Sequence, residues 1–125
     1  MSETLEFVLN LKDGENVIKK IKEFAEENNI VNGVFVAGSG SIRDFELSGF
    51  RGEGRIENRF IKYPYEVLAV SGRIFKKADK YYPEMKVSLT RSGASSMSGL
   101  LLEGIVEEDL KISIRKFDYS KMIIS

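Results

Sequence analysis

Leu5-Glu6-Phe7-Val8-Leu9-Asn10-Leu11-Lys12-Asp13-Gly14-Glu15-Asn16-Val17 and the stretch that follows to Asn29 decide the fold class. Leu5, Phe7, Leu9 and Leu11 alternate with Glu6, Val8 and Asn10, the period of a half-buried strand. Lys12-Asp13-Gly14 breaks that period. From Glu15 to Asn29 the apolar residues Val17, Ile18, Ile21, Phe24 and Ala25 fall on one helical stripe. Asp13 stands where an N-cap belongs, and Glu15 falls in the first turn, where a carboxylate suits the helix dipole. Lys19–Glu23 and Lys22–Glu26 are spaced as i,i+4 pairs on the opposite, solvated face. Asn28-Asn29 ends the helix.

No second helical pattern occurs. Gly33 to Ala37 reads as a buried strand, followed by Gly38-Ser39-Gly40-Ser41, which reads as a bulge or a close backbone approach. Gly49 to Asn58, rich in glycine and charge, reads as a loop or wide hairpin. In Glu66 to Phe75 the run Val67-Leu68-Ala69-Val70 is continuous, as in a strand covered on both faces. Lys76 to Pro83 reads as a charged connection with tyrosines, and Met85 to Thr90 as a short strand. Arg91 to Ser96 is a turn and Met97 to Val106 a buried strand. Glu107-Glu108-Asp109 reads as a tight acidic turn before the alternating strand Leu110 to Arg115. The tail, Tyr119 to Ser125, carries Met122-Ile123-Ile124, suited to an edge strand or a subunit contact. The expected class is α+β, one domain over 1–125: a mostly antiparallel sheet of roughly seven strands with one main helix packed on it.

Composition narrows the chemistry. The 125 residues hold 19 Lys and Arg against 19 Asp and Glu, so the net charge is zero. Dedicated nucleic-acid binders carry a basic excess. With no cysteine and no histidine, the chain lacks disulfides, thiolate chemistry, the usual general base and the commonest zinc ligands. The acidic start, Met1-Ser2-Glu3-Thr4, has no apolar core segment of a signal peptide, and no apolar run approaches a membrane span. A cytoplasmic protein is expected, with no membrane partner.

Several segments fall in the order of a known family. They are Leu11-Lys12-Asp13-Gly14-Glu15-Asn16-Val17, the helix to Asn29, and Gly38-Ser39 after a strand. Tyr65-Glu66-Val67-Leu68, Ser71-Gly72-Arg73-Ile74, Lys86-Val87-Ser88-Leu89 and Gly99-Leu100-Leu101-Leu102-Glu103-Gly104 continue the series. Over about Phe7 to Phe117 the chain resembles the plant-and-prokaryote-conserved (PPC) domain, which accompanies AT-hooks in plant nuclear proteins and stands alone in prokaryotes. The resemblance implies a homotrimer and an association with DNA or with DNA-binding partners. Many members of the family carry a His-x-His before Val-Ser-Leu and a third histidine in Gly-Gly-His-Leu. Here those positions hold Glu84, Lys86 and Leu100, with Ser98 in place of the first glycine. One carboxylate, one ammonium and one leucine do not make a metal site, so neither metal nor cofactor is expected.

The remaining motifs are modest. Glu84 and Lys86, at i,i+2, share one strand face, as a rim ion pair or as the wall of a small polar pocket. Glu103 sits within an apolar strand and needs a partner; Arg73 is the expected one. Arg73, Glu84, Lys86 and Glu103 form the candidate ligand pocket. Arg51, Arg55, Arg59 and Lys62 form a candidate anion or nucleic-acid patch, interrupted by Glu53 and Glu57. Arg51-Gly52-Glu53-Gly54-Arg55 lacks the proline and the second arginine of an AT-hook. Lys76-Lys77-Ala78-Asp79-Lys80-Tyr81-Tyr82 mixes cations and aromatics, which suits packing or an oligomer contact. No catalytic residue is assigned, since the serines have no histidine to activate them. The sequence favours a non-enzymatic, homotrimeric regulatory or DNA-associated module. The alternatives are a small-molecule binder or weak enzyme with a metal-free intersubunit pocket at Glu84 and Lys86, and a structural trimer in a larger assembly.

Overall fold

The computed structural model describes residues 3–51, 55–93 and 96–118. Strand β1 (Glu3–Lys12) leads into helix α1 (Val17–Glu27), followed by β2 (Asn32–Arg51), β3 (Arg55–Ile61), β4 (Tyr65–Lys77), β5 (Lys80–Thr90) and β6 (Met97–Asp118). All pairings are antiparallel, in the order β1-β6-β5-β4-β2-β3, with β6 also paired to β2. That extra pairing closes a circuit from β6 through β5, β4 and β2 back to β6. The described strands number six: the segments Met97 to Val106 and Leu110 to Arg115 are one strand, and β3 begins inside the expected loop or wide hairpin of Gly49 to Asn58. The Tyr119–Ser125 tail and the Gly52–Gly54 centre of the imperfect AT-hook lie outside the described residues.

Inside the circuit, Phe45, Leu47, Val67, Met85, Val87 and Leu89 are buried, and α1 adds Val17, Ile21 and Ala25. Phe24 of the helix meets Phe7 of β1 edge to face at 5.5 Å. This is the apolar stripe the sequence displays. The helix starts two residues later than expected, for a physical reason. The amide of Gly14 donates to the Val106 carbonyl and the Val106 amide to the Glu15 carbonyl, both at 2.9 Å. Asn16 then bridges to Ile105. The segment is thus committed to β6 until residue 17. Asn16, not Asp13, is the N-cap, accepting at Oδ1 from the Lys19 amide. The ion pairs on the helix also differ from the i,i+4 set: Lys20 reaches Glu15 and Glu23. Asn28 caps the other end, and Asn29 turns the chain with φ 52°.

Three other expectations are corrected. Val36 in Gly33–Ala37 is 43% exposed, and Leu68 in the continuous apolar run is 54% exposed. The helix covers only one side of the sheet, and a bulge between Val67 and Ala69 shifts the alternation. Lys76 to Pro83 is mostly strand: Lys77 pairs with Lys80 around a two-residue turn, Ala78 and Asp79, both with positive φ. Its aromatics pack within the chain. Phe75 stacks on Tyr82 at 5.4 Å, and the Tyr81 hydroxyl reaches Asn29 Oδ1 at 3.2 Å.

Glu107-Glu108-Asp109 is a bulge rather than a turn. Gly40 pairs with Leu110 but Ser41 pairs with Glu107, so β6 carries extra residues there. The expected bulge at Gly38–Ser41 is its partner. Gly40 has φ +133°, and a Cβ there would stand 2.3 Å from the Asp109 carbonyl oxygen. Both features exclude a side chain. Gly40→Ala is therefore expected to destabilise the protein by about 2 kcal/mol or more. Urea unfolding measures this, and a change below about 0.5 kcal/mol would show that the bulge relaxes.

Candidate functional site

Strand alternation sends Met85, Val87 and Leu89 of β5 into the core and Glu84, Lys86 and Ser88 to the outer face. The register then fixes their neighbours. Arg73 of β4 stands opposite Glu84, Ser71 opposite Lys86, and Ala69 opposite Ser88. On the other side Leu100 of β6 faces Lys86 and Ser98 faces Ser88. Ser48 of β2 continues the Lys86 row beyond Leu100. These residues line a cleft of about 940 Å³ on the outer face.

Three of the four candidate pocket residues therefore meet: Arg73, Glu84 and Lys86. Arg73 Nε donates to Glu84 Oε1 at 2.9 Å, and its guanidinium lies 4.6 Å from the centre of the Phe75 ring. Glu84 is thereby engaged by Arg73 rather than by Lys86. Among the described residues, Lys86 has neither an ion pair nor a hydrogen-bond partner. Glu103 lies apart, exposed, in a shallow groove with Asn16, Lys19 and Glu26 at the helix. The expected Arg73–Glu103 pair does not form. β6 pairs with β5 only from Met97 to Leu100, and Glu103 stands opposite Glu46 of β2, beside the helix. The hydroxyls of Ser48 and Ser71 complete the cleft. Sequence reasoning missed them, although Ser71 lies two residues from Arg73 on the same strand.

The three positions that the resemblance singled out, Glu84, Lys86 and Leu100, do converge on one wall. Their donor set does not fit a metal, because it offers a single carboxylate beside an ammonium and an aliphatic side chain. No group of three or more histidine, cysteine, aspartate or glutamate side chains able to hold a metal occurs among the described residues.

The basic patch is split by what the structure describes. Arg51 and Arg55 pair across the β2–β3 hairpin through their backbones; their side chains lie outside the described residues. Arg59 of β3 and Lys62 just beyond it are exposed and have no ion-pair partner among the described residues. Sequence reasoning did not single out the aromatics beside them. Phe60 is 54% and Tyr63 62% exposed. Arg91 lies over the Tyr63 ring at 4.7 Å.

A second charged cluster is structural. Arg43 Nη1 reaches Asp13 Oδ1 at 3.0 Å, Glu107 Oε1 at 2.8 Å and the Val106 carbonyl at 2.8 Å. Asp13 also accepts from the Glu108 amide at 2.8 Å. That amide first, and Arg43 second, hold the Asp13 carboxyl below its ordinary pKa of 3.8. The cluster pins the turn between β1 and α1 to the β6 bulge.

With the geometry in place, the class of protein is clear: a closed antiparallel β circuit capped by one helix. Residues 2–118 match the Plants and Prokaryotes Conserved (PCC, or PPC) domain family, and the chain belongs to it. No match was found among curated proteins. Among solved structures, the chain is similar to a PPC protein of Pyrococcus horikoshii, with TM-score 0.82 and 21% identity over 94% of this chain and 82% of that one. It is similar to a metal-containing protein of Archaeoglobus fulgidus, with TM-score 0.82 and 22% identity over 94% and 84%. A protein of Bacteroides thetaiotaomicron, provisionally named as DNA-binding, gives TM-score 0.79 and 18% identity over 93% and 84%. No described helix is long and apolar enough to cross a membrane.

The Asp13 cluster makes a pH prediction. A carboxylate with a depressed folded pKa stabilises fully above its ordinary value, and the contribution is lost as pH falls through the folded value. Asp13→Asn should be less stable than wild type at about pH 7, and the gap should narrow by about pH 3. Urea unfolding at both pH values measures it; an equal gap at both would show that the Asp13 charge contributes nothing.

Proposed function

We propose that this PCC-family chain is a non-enzymatic, homotrimeric regulatory module that associates with DNA through weak contacts or through a protein partner. The observation that carries the DNA part is the edge at β3. Arg59 and Lys62 project unpaired among the described residues, next to the exposed rings of Phe60 and Tyr63. Cations beside the exposed Phe60 ring, with the Arg91 guanidinium lying over Tyr63, suit a phosphate backbone and its bases. The name given to the Bacteroides protein agrees with this reading. The net charge of zero sets its limit, since no long-range field concentrates the protein on DNA. Val36 and Leu68, exposed on β2 and β4, supply apolar surface for self-association.

Titration of duplex and single-stranded DNA across a salt series tests the reading. Neutralising about two phosphates per chain should make log K fall with log salt at a slope of about −1.8 per engaged chain on duplex. Arg59→Ala with Lys62→Ala should flatten that slope. Absence of binding at low salt with either DNA form would discard direct contact and leave only a partner-mediated role.

A further inference from the structure

The cleft on the outer face has a feature that neither the DNA edge nor the family accounts for. It holds one net positive charge that nothing among the described residues neutralises. Arg73 and Glu84 cancel each other through the 2.9 Å hydrogen bond. The ammonium of Lys86, with three donors and no acceptor, remains. Its surroundings are hydroxyls. Ser71 lies directly opposite on β4, about 5 Å away by the spacing of cross-strand pairs. Ser88 is two residues further along β5, about 7 Å away by strand rise. Ser98 faces Ser88 from β6. Ala69 and Leu100 add an apolar border, and the volume of about 940 Å³ suits a small organic molecule.

We propose that this cleft binds the oxyanion head, carboxylate or phosphate, of a small metabolite without a metal. Lys86 supplies the charge, and Ser71 and Ser88 supply hydroxyl donors. Arg73 is a positioning residue: by engaging Glu84 it keeps that carboxylate from competing for Lys86. The site lies on a different face element from the β3 edge and does not depend on DNA association.

The test is an NMR titration of the isotope-labelled full chain, without DNA, at matched ionic strength. Inorganic phosphate, acetate and chloride are titrated separately. Saturable shifts are expected at the amides of Ser71, Lys86 and Ser88 with phosphate or acetate, at a dissociation constant in roughly the millimolar range. Which of the two saturates names the head group. Lys86→Ala should weaken binding about tenfold, the scale of one charge-assisted hydrogen bond, while Lys86→Arg keeps it. Lys86 is exposed, so an unchanged spectrum away from the cleft checks that the variants fold. Equal shifts with chloride, no saturation by either oxyanion, or undiminished binding by Lys86→Ala would overturn the proposal.

Discussion

The antiparallel pairing of β2 with β6 is the constraint on which everything else hangs. Pairing runs from Gly33 opposite Lys116 to Ser48 opposite Leu100. The far edge of β6 carries β1 along its second half and β5 along its first. The far edge of β2 carries β4 and then β3. Two strands of 20 and 22 residues cannot stay flat while their outer partners meet. Right-handed twist and bulges bend them until β4 and β5 join. Gly40 against Asp109 is one place where the backbones of β2 and β6 come too close for a side chain. The Arg43 and Asp13 cluster ties that bend to the helix start, so sheet curvature and helix position are set together.

The bend decides which face stays open. The concave side is filled by aliphatic residues and closed by α1. The convex side keeps every second residue of β4, β5 and β6 available, and there the chain places serines, Lys86 and the Arg73–Glu84 pair. The strands fix the backbone positions of these groups by register rather than by loop ordering. Val36 and Leu68, at bulges of β2 and β4, are left uncovered in a single chain.

The sequence was most legible where periodicity was unbroken. Leu5 to Leu11, the stripe from Val17 to Ala25 and Leu110 to Ile114 all occupy the elements their spacing predicts. It was least legible where tertiary contacts overrule local signals. Three acidic residues in a row look like a turn; Arg43 and the Asp13 carboxylate, distant in sequence, make them a bulge inside one strand. Asp13 looks like a helix cap, yet its oxygen is taken by the Glu108 amide. Val67 to Val70 looks covered on both sides, since composition cannot tell a face met by a helix from one left open. Of the pocket, Arg73, Glu84 and Lys86 were found because alternation and family order agree on them. Glu103 was misplaced because its register partner is Glu46 of β2, away from Arg73 of β4. Ser48 and Ser71 became visible only through cross-strand register.

The proposed assembly of identical chains through the exposed residues of β2 and β4 is the account's central claim. A native mass spectrum of the untagged protein at low micromolar concentration tests that claim most directly. The account predicts a species of three 14.1 kDa chains. A monomer under the same conditions would contradict it, because the exposed residues of β2 and β4 would then have no partner copy to cover them.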